Sequence, residues 1–284
     1  MENDAAARHR PHVGRGRAVV LARGLGSRMR QHDASATLTR EQHGAADAGF
    51  KALMPINGHP FLAYVLDAIA DAGVREVALV VAPDYEVVRR HFDEFPPRRI
   101  VLSYVIQAEP LGTADAVLAA AAWTGDNPFL IMNADNLYPV SAIRDLVSLQ
   151  EPGFPAFDAA DLVATSNIPE ERVRAFAVAE IDEEGYLTAI IEKPVLLSQP
   201  VASDARRKAI SMNLWRFDAR IYAACRDVPR SARGEFELPE AVAFAVGRGM
   251  RIRAVPARGP VLDLSRRADA ADVSARLAGV TPCP

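Results

Sequence analysis

A small set of side chains in this sequence has the type and placement to do chemistry. They are Arg28, Lys51, Gln107, Asp135, Glu192, Lys193 and Asp263. Arg28 closes the stretch Leu21-Ala-Arg-Gly-Leu-Gly-Ser-Arg-Met29, which follows an apolar run, Ala18 to Leu21, of the kind that forms a buried strand. Gly24 and Gly26 let a backbone turn tightly and approach a ligand with no Cβ in the way. Successive free N–H groups in such a loop make a concave anion site, and an arginine adds a permanent charge with a planar fork of donors suited to phosphate. Strand, glycine loop and arginine together read as a nucleoside triphosphate grip; taken alone, a glycine loop after a strand is more often a plain tight turn. Met29 stands where the dinucleotide fingerprint G-x-G-x-x-G has its third glycine, and no G-K-[ST] of a P-loop follows.

The two aspartates suggest a cation. Asp135, in Asn133-Ala-Asp-Asn136, and Asp263, in Val261-Leu-Asp-Leu264, each follow apolar residues. Each could equally be an Asx turn or a helix cap. If they converge, they offer Mg²⁺ the hard oxygen ligands it takes beside substrate phosphates. Gln107 has a donor and an acceptor for a base edge, or is an ordinary surface amide. Glu192 and Lys193 are strand neighbours, so they point to opposite faces unless the turn at Pro194 intervenes, and a solvated charge pair is the simpler reading. Lysine is scarce: only Lys51, Lys193 and Lys208 among 33 basic residues. A position that keeps lysine in an arginine-rich chain can be one that needs a compact ammonium.

The elements that must hold these residues alternate in the first half. Strands are expected at 17–21, 76–82, 100–107 and 128–132, with helices at 61–72, 85–92 and about 113–123. Part of the polar, Ala-rich segment 31–50 could be a short helix, but it reads mainly as a long mobile loop. Strand and helix in alternation predict a parallel sheet covered on both faces, with ligands beyond the carboxyl ends of its strands. Arg28, Gln107 and Asp135 all follow strand ends, so one crevice could hold all three. The second half reads as strands at 161–166, 174–181, 187–192 and 210–217, with a hairpin turn at Glu184-Gly185. Helices follow at 219–226 and 237–247, then a strand at 251–255 and a helix at 267–277.

Composition narrows the class. The chain has 284 residues, 50% of them hydrophobic, and a formal charge of −3. It can bury a sizeable core, and its balance gives no support for a nucleic-acid or membrane-surface partner. No apolar run approaches the roughly 18 residues that span a bilayer. Two cysteines, Cys225 and Cys283, make neither a disulfide framework nor a zinc site, and a cytoplasmic location is the simple expectation. Residues 1–16 read as a polar, disordered leader.

Seven motifs in order give the chain a family resemblance. Leu21 to Met29 resembles L-A-[AG]-G-x-G-[TS]-R-[ML]; Lys51-Ala-Leu-Met-Pro-Ile with Gly58 and Pro60 resembles K-x-L-x-P-[VI]-x-G-x-P. Gln107 with Pro110-Leu-Gly-Thr-Ala-Asp-Ala116 resembles Q-x-x-x-x-G-T-A-D-A, and Asn133 to Asn136 resembles [NL]-G-D-N. Ile191-Glu-Lys-Pro194, Gly234-Glu-Phe-Glu-Leu238 and Val261-Leu-Asp263 complete the series as E-K-P, G-E-[YF]-E-[LI] and W-x-D. These are the signatures of the sugar-1-phosphate nucleotidyltransferases, which make NDP-sugars and pyrophosphate. The resemblance implies a Rossmann-like α/β core with a mostly parallel mixed central sheet flanked by helices. It makes 17–284 one domain, with a nucleotide-binding half near 17–137 and a sugar-phosphate half near 138–284.

It also implies roles. Arg28 would bind the leaving pyrophosphate, and Lys51 the triphosphate near its α-phosphate. Leu21, Gly24 and Gly26 would lie along the nucleotide, with Gln107 and Gly112 at its base. Asp135 and Asp263 would hold Mg²⁺, Glu192 would meet sugar hydroxyls, and Lys193 the acceptor phosphate. The family is often dimeric or tetrameric, so a homo-oligomer is expected.

This chain departs from the pattern at several places. Arg23 replaces a small residue and is expected to add an arginine beside the triphosphate; Ala134 replaces a glycine before the aspartate. The segment between Arg28 and Lys51 is long and is expected to order over bound triphosphate. Ala177 and Asn213 stand in the acceptor pocket where the family often has glycine. With that pocket altered, the chain also resembles the guanylyltransferases of valienol 1-phosphate, a cyclitol phosphate of aminocyclitol biosynthesis; transfer of a thymidylyl, uridylyl or adenylyl group to a hexose 1-phosphate is the rival. A non-catalytic binder of NDP-sugars that regulates a partner is the reading from another class, against which the intact Arg28, Lys51, Asp135 and Asp263 stand. A GT-A glycosyltransferase would carry D-x-D after a strand, and Asn133-Ala-Asp135 is the nearest approach.

Overall fold

The computed structural model describes residues 16–24, 26–31, 33, 36–49, 51–191 and 207–284. One ten-stranded sheet runs through it. Its strand order is Leu187–Ile191, Ala177–Ile181, Arg207–Ser211, Gly153–Phe157, Trp215–Phe217, Phe129–Asn133, Gly16–Leu21, Val74–Val81 and Val101–Ile106, with Arg253–Ala257 also paired to Gly153–Phe157. The four strands from Phe129–Asn133 to Val101–Ile106 are parallel. From Trp215–Phe217 to Leu187–Ile191 the pairing is antiparallel. The sheet is mixed: its run of four parallel strands belongs to the first half of the chain, and Arg253–Ala257 pairs parallel with Gly153–Phe157 in the second.

The apolar run that begins the chain is central for a packing reason. Ala18 and Val20 face one core and Val19 the other, each with no exposed surface. A strand buried on both faces needs apolar residues at every position, not an alternation. The chain leaves Gly16–Leu21 toward Val74–Val81 on one side and returns as Phe129–Asn133 on the other. That reversal is the topological switch point, where a crevice opens beyond the carboxyl ends of the strands.

Four expectations about elements are corrected. Residues 40–48 of the expected loop form the helix Arg40–Ala48. Thr39 accepts from the Gln42 N–H, the Gln42 side chain returns to the Thr39 N–H, and Gly49 closes the helix in the left-handed conformation, so both ends are capped. Residues 161–166 are not a strand: 161–165 belong to the helix Ala159–Thr165, with Ser166 as its C-cap, because the Asp158 carboxylate caps the start by accepting from Asp161 N at 2.8 Å. The expected strand 210–217 is two, Arg207–Ser211 and Trp215–Phe217, broken where Asn213 takes φ +56°. Gly153–Phe157 pairs with three strands although it contains Gly153 and Pro155, residues that usually argue against a strand. The helix expected over 113–123 breaks at Ala120 into Thr113–Ala119 and Ala121–Thr124. Among the described residues no helix is long and apolar enough to cross a membrane.

Candidate active site

The glycine loop is built by packing as much as by glycine. Met29 has no exposed surface and anchors the short helix Ser27–Arg30 in the core, so the residue that spoils the dinucleotide fingerprint is the loop's apolar pin. Gly26 sits at φ +63°, ψ 22°, and a Cβ there would lie 2.5 Å from the Gly49 carbonyl oxygen. Gly24 has open space around it. Arg28, on the helix, is exposed and makes no hydrogen bond or ion pair among the described residues. The helix is held from behind by Arg267. This buried guanidinium donates to the carbonyls of Met29 at 2.8 Å and Arg30 at 3.4 Å and pairs with Asp47 at 2.5 Å. Arg267→Ala is expected to cost about 2 kcal/mol, from two lost bonds to carbonyls and the packing of a buried side chain. It should also free Arg28 and Arg30 for trypsin; a thermal melt and limited trypsinolysis check both.

Loop, lysine and carboxylates form one connected group. The Gly49 carbonyl that Gly26 packs against accepts from Lys51 N at 3.0 Å. Lys51 Nζ then reaches Asp135 Oδ2 at 3.0 Å, with side chains 16% and 25% exposed. Asp135 lies in the turn after Phe129–Asn133. The turn is fixed to both neighbours: Ala134 N donates to Leu21 O at 3.1 Å, and Leu264 N to Asp135 O at 2.9 Å. Asp263 arrives on a two-residue strand, Leu262–Asp263, paired antiparallel with Asn136–Leu137. Asn167 brackets it, donating to the Asp263 carbonyl and accepting from the Asp263 N–H, each at 2.8 Å.

The electrostatics of the pair are unusual. Asp263 is buried, and burial together with the nearby Asp135 charge pushes its carboxyl up to about 6, against the pull of Arg172. Asp263 Oδ1 is buried with no hydrogen-bond partner. Arg172 stands 3.7 Å from Asp263 Oδ2 and has its Nη1 on Asp269 at 2.8 Å, while its Nε and Nη2 have no hydrogen-bond partner. An orphaned carboxylate oxygen beside a second carboxylate is costly in a closed protein and sensible where a cation completes the site. No cluster of three or more His, Cys, Asp or Glu occurs among the described residues. The available set is therefore two carboxylates, the number Mg²⁺ takes when phosphates supply other ligands.

Gln107 is not an open surface amide. It is 3% exposed, and its Nε2 donates to Gly112 O at 3.0 Å and to Asp115 Oδ2 at 2.7 Å. Arg23 reaches the segment after Val101–Ile106: its Nε donates to Gln107 O at 2.8 Å and a terminal nitrogen to Ala108 O at 3.1 Å. Gly112 is held at φ +112° against the backbone of Phe236, in the segment that resembles G-E-[YF]-E. Ala177 and Asn213 form a second group. Ala177 pairs with Ser211, Asn213 follows two residues later in the left-handed region, and Tyr138 ties this turn to Asn136–Leu137 through a 2.6 Å bond to Met212 O. Glu192 and Lys193 lie outside the described residues, as do residues 1–15 of the expected leader. Sequence reasoning missed Asn167, Arg172 and Arg267, which carry no local motif, and passed over Asp115, which stood inside one.

Comparison with known proteins adds to this geometry. The family model described as Nucleotidyl transferase matches residues 17–263. The UTP--glucose-1-phosphate uridylyltransferase AglF of Haloferax volcanii is 28% identical over 260 residues, 92% of this chain and 96% of that protein. A glucose-1-phosphate thymidylyltransferase of Streptomyces antibioticus is 31% identical over 259 residues, 91% of this chain but 65% of that longer protein. Among solved structures, an apo UDP-glucose pyrophosphorylase superposes with a TM-score of 0.70 at 18% identity, covering 92% of this chain and 97% of that one. At that identity the likeness speaks for the fold.

Proposed function

The chain belongs to the nucleotidyl transferase family, and on that premise we propose that it joins a nucleoside triphosphate to a sugar 1-phosphate and releases pyrophosphate. The donor we assign is UTP or dTTP and the acceptor a hexose 1-phosphate. The observation that carries the reaction is the group formed by Lys51, Asp135 and Asp263 behind the glycine loop, with an unpaired buried oxygen on Asp263. The pyrimidine donor and the hexose acceptor are supported by the relatives, a uridylyltransferase and a thymidylyltransferase of glucose 1-phosphate.

A sugar 1-phosphate is largely dianionic at pH 7, because its second pKa is near 6. One of its oxygens attacks the α-phosphorus, the bond from that phosphorus to the bridging oxygen breaks, and pyrophosphate leaves with the electron pair. No general base is needed. The obstacle is like charge, and positioning with electrostatics supplies the rate. Arg28 is free to receive the β- and γ-phosphates. Lys51 is placed to neutralise charge at the α-phosphate once it leaves Asp135. Asp135 and Asp263 would hold Mg²⁺, which when bound supplies Lewis-acid charge neutralisation at the phosphoryl oxygens. Gly24 lets the triphosphate lie against the backbone, Gln107 and Gly112 receive the base, and Glu192 and Lys193 take the sugar and its phosphate. The cytoplasmic location and a homo-oligomeric assembly stay part of this proposal.

Pyrophosphate release with Mg²⁺, measured for five nucleoside triphosphates against glucose, mannose, N-acetylglucosamine and valienol 1-phosphates, tests the reading. Turnover with UTP or dTTP and glucose 1-phosphate is expected. Turnover confined to GTP with valienol 1-phosphate would instead favour the cyclitol reading, which rests on the Cβ of Ala177 and the Asn213 side chain in the acceptor pocket. Nucleotide binding without pyrophosphate would leave a regulatory binder, and release of a nucleoside diphosphate a glycosyltransferase.

A further inference from the structure

The Gln107 amide has a fixed direction. A side-chain amide has two donors on nitrogen and an acceptor on oxygen, and its orientation follows from its neighbours. Here both neighbours of one end are acceptors, the Gly112 carbonyl at 3.0 Å and the Asp115 carboxylate at 2.7 Å. Reversing the amide would set its oxygen against both. The nitrogen therefore spends its two hydrogens inside the protein. The oxygen Oε1 has no partner among the described residues and is not among the fully buried unpartnered atoms, so it keeps contact with solvent. The backbone beneath is equally fixed, by Arg23 on the carbonyls of Gln107 and Ala108. Asp115 is in the first turn of Thr113–Ala119, and the break in the family pattern at Arg23 thus lands on the same few atoms.

We propose that Asp115 is a positioning residue that locks the Gln107 amide with its carbonyl toward the base and so restricts the nucleotide to bases with a ring N–H. This deepens the proposed function and rests on Gln107 facing the base. Uracil and thymine at N3, and guanine at N1, donate a hydrogen to such a carbonyl. Cytosine N3 and adenine N1 turn a lone pair to it, and a buried acceptor facing an acceptor loses its bond and its hydration together. A site built to meet one N–H rejects the analogue that lacks it far better than a shape-matched pocket does. Asp115 touches no nucleotide in this account; it acts through Gln107.

Calorimetric titration of UTP, dTTP, GTP, CTP and ATP into the full chain tests this, with Asp115→Asn and Asp115→Ser as variants and a thermal melt to show that each is folded. The wild type should bind UTP at least about tenfold more tightly than CTP, the equivalent of one good hydrogen bond. Asn and Ser at 115 can accept or donate, which leaves the Gly112 carbonyl as the one remaining acceptor that holds the amide nitrogen, so the UTP-to-CTP ratio should fall in both variants. A ratio that survives both substitutions overturns the proposal. So does uniform weakening of all five nucleotides, the mark of a merely structural role, and so does equal wild-type affinity for UTP and CTP. A wild type that binds no nucleotide overturns the proposed function as well, whereas pyrophosphate release with an unchanged ratio in the variants overturns only the lock.

Discussion

Asp135→Asn should lower turnover about 10³-fold while the protein stays folded. Asparagine keeps the size and one oxygen of the side chain but removes one of the two carboxylates that the described residues bring together here, and losses of about 10²–10³ attend removal of a single electrostatic contact in an active site. The structural cost should be small. The Lys51 pair is partly exposed, at 16% and 25%, and pairs at that exposure contribute about 1 kcal/mol or less. The substitution also frees Lys51 from its counter-ion. In EDTA the variant should therefore bind nucleoside triphosphate at least as tightly as the wild type, because one negative charge near the phosphates is gone. Steady-state pyrophosphate release and calorimetry without metal read the two effects separately. Loss of nucleotide binding in EDTA alongside loss of turnover would show that Asp135 does something else.

Gly112→Ala should be the most damaging single substitution outside the charged group. At φ +112° with ψ −179° this residue occupies backbone space open almost only to glycine. An added Cβ would lie 2.5 Å from Phe236 O and 2.7 Å from Phe236 N. Neither can give way, since Phe236 O accepts from Ala114 N at 2.8 Å and Phe236 N donates to Leu111 O at 2.7 Å. Strain and clash together are expected to cost about 3 kcal/mol or more. For a chain of this length that lowers the melting temperature by roughly 6 °C or more. Because Gly112 O also holds the Gln107 amide, nucleotide affinity should fall with stability. Gly24→Ala is the matching control. No described residue lies within 4 Å of its Cβ position, so the melt should be unchanged while affinity for nucleotide drops where the backbone must approach the phosphates.

Some of this site was legible in the sequence because its chemistry needs particular residue types at short spacing. The strand, two glycines and Arg28 are contiguous, and the apolar run identifies a strand buried on both sides. Asp135 and Asp263 were legible as candidates only; 128 positions separate them, and their convergence depends on the ladder between Leu262–Asp263 and Asn136–Leu137. Residues 161–166 misled because Leu-Val-Ala-Thr is a short apolar run that fits either a strand or a helix, and one capping carboxylate three residues upstream decided it. The helix Arg40–Ala48 was hidden by Gly44 and a mean composition poor in apolar residues, although its Thr39 and Gln42 carry the spacing of a capping box. Arg267 could not be found at all from the sequence, since its meaning is a contact with residues 238 positions away.

Transfer of label from nucleotide to product tests the central claim most directly. With α-³²P-labelled UTP, glucose 1-phosphate and Mg²⁺, the label should appear in the sugar nucleotide and none in pyrophosphate, and with γ-³²P-labelled UTP the reverse. Label from the α-position in any product other than a nucleotide sugar, or γ-label released as orthophosphate, would contradict attack at the α-phosphorus.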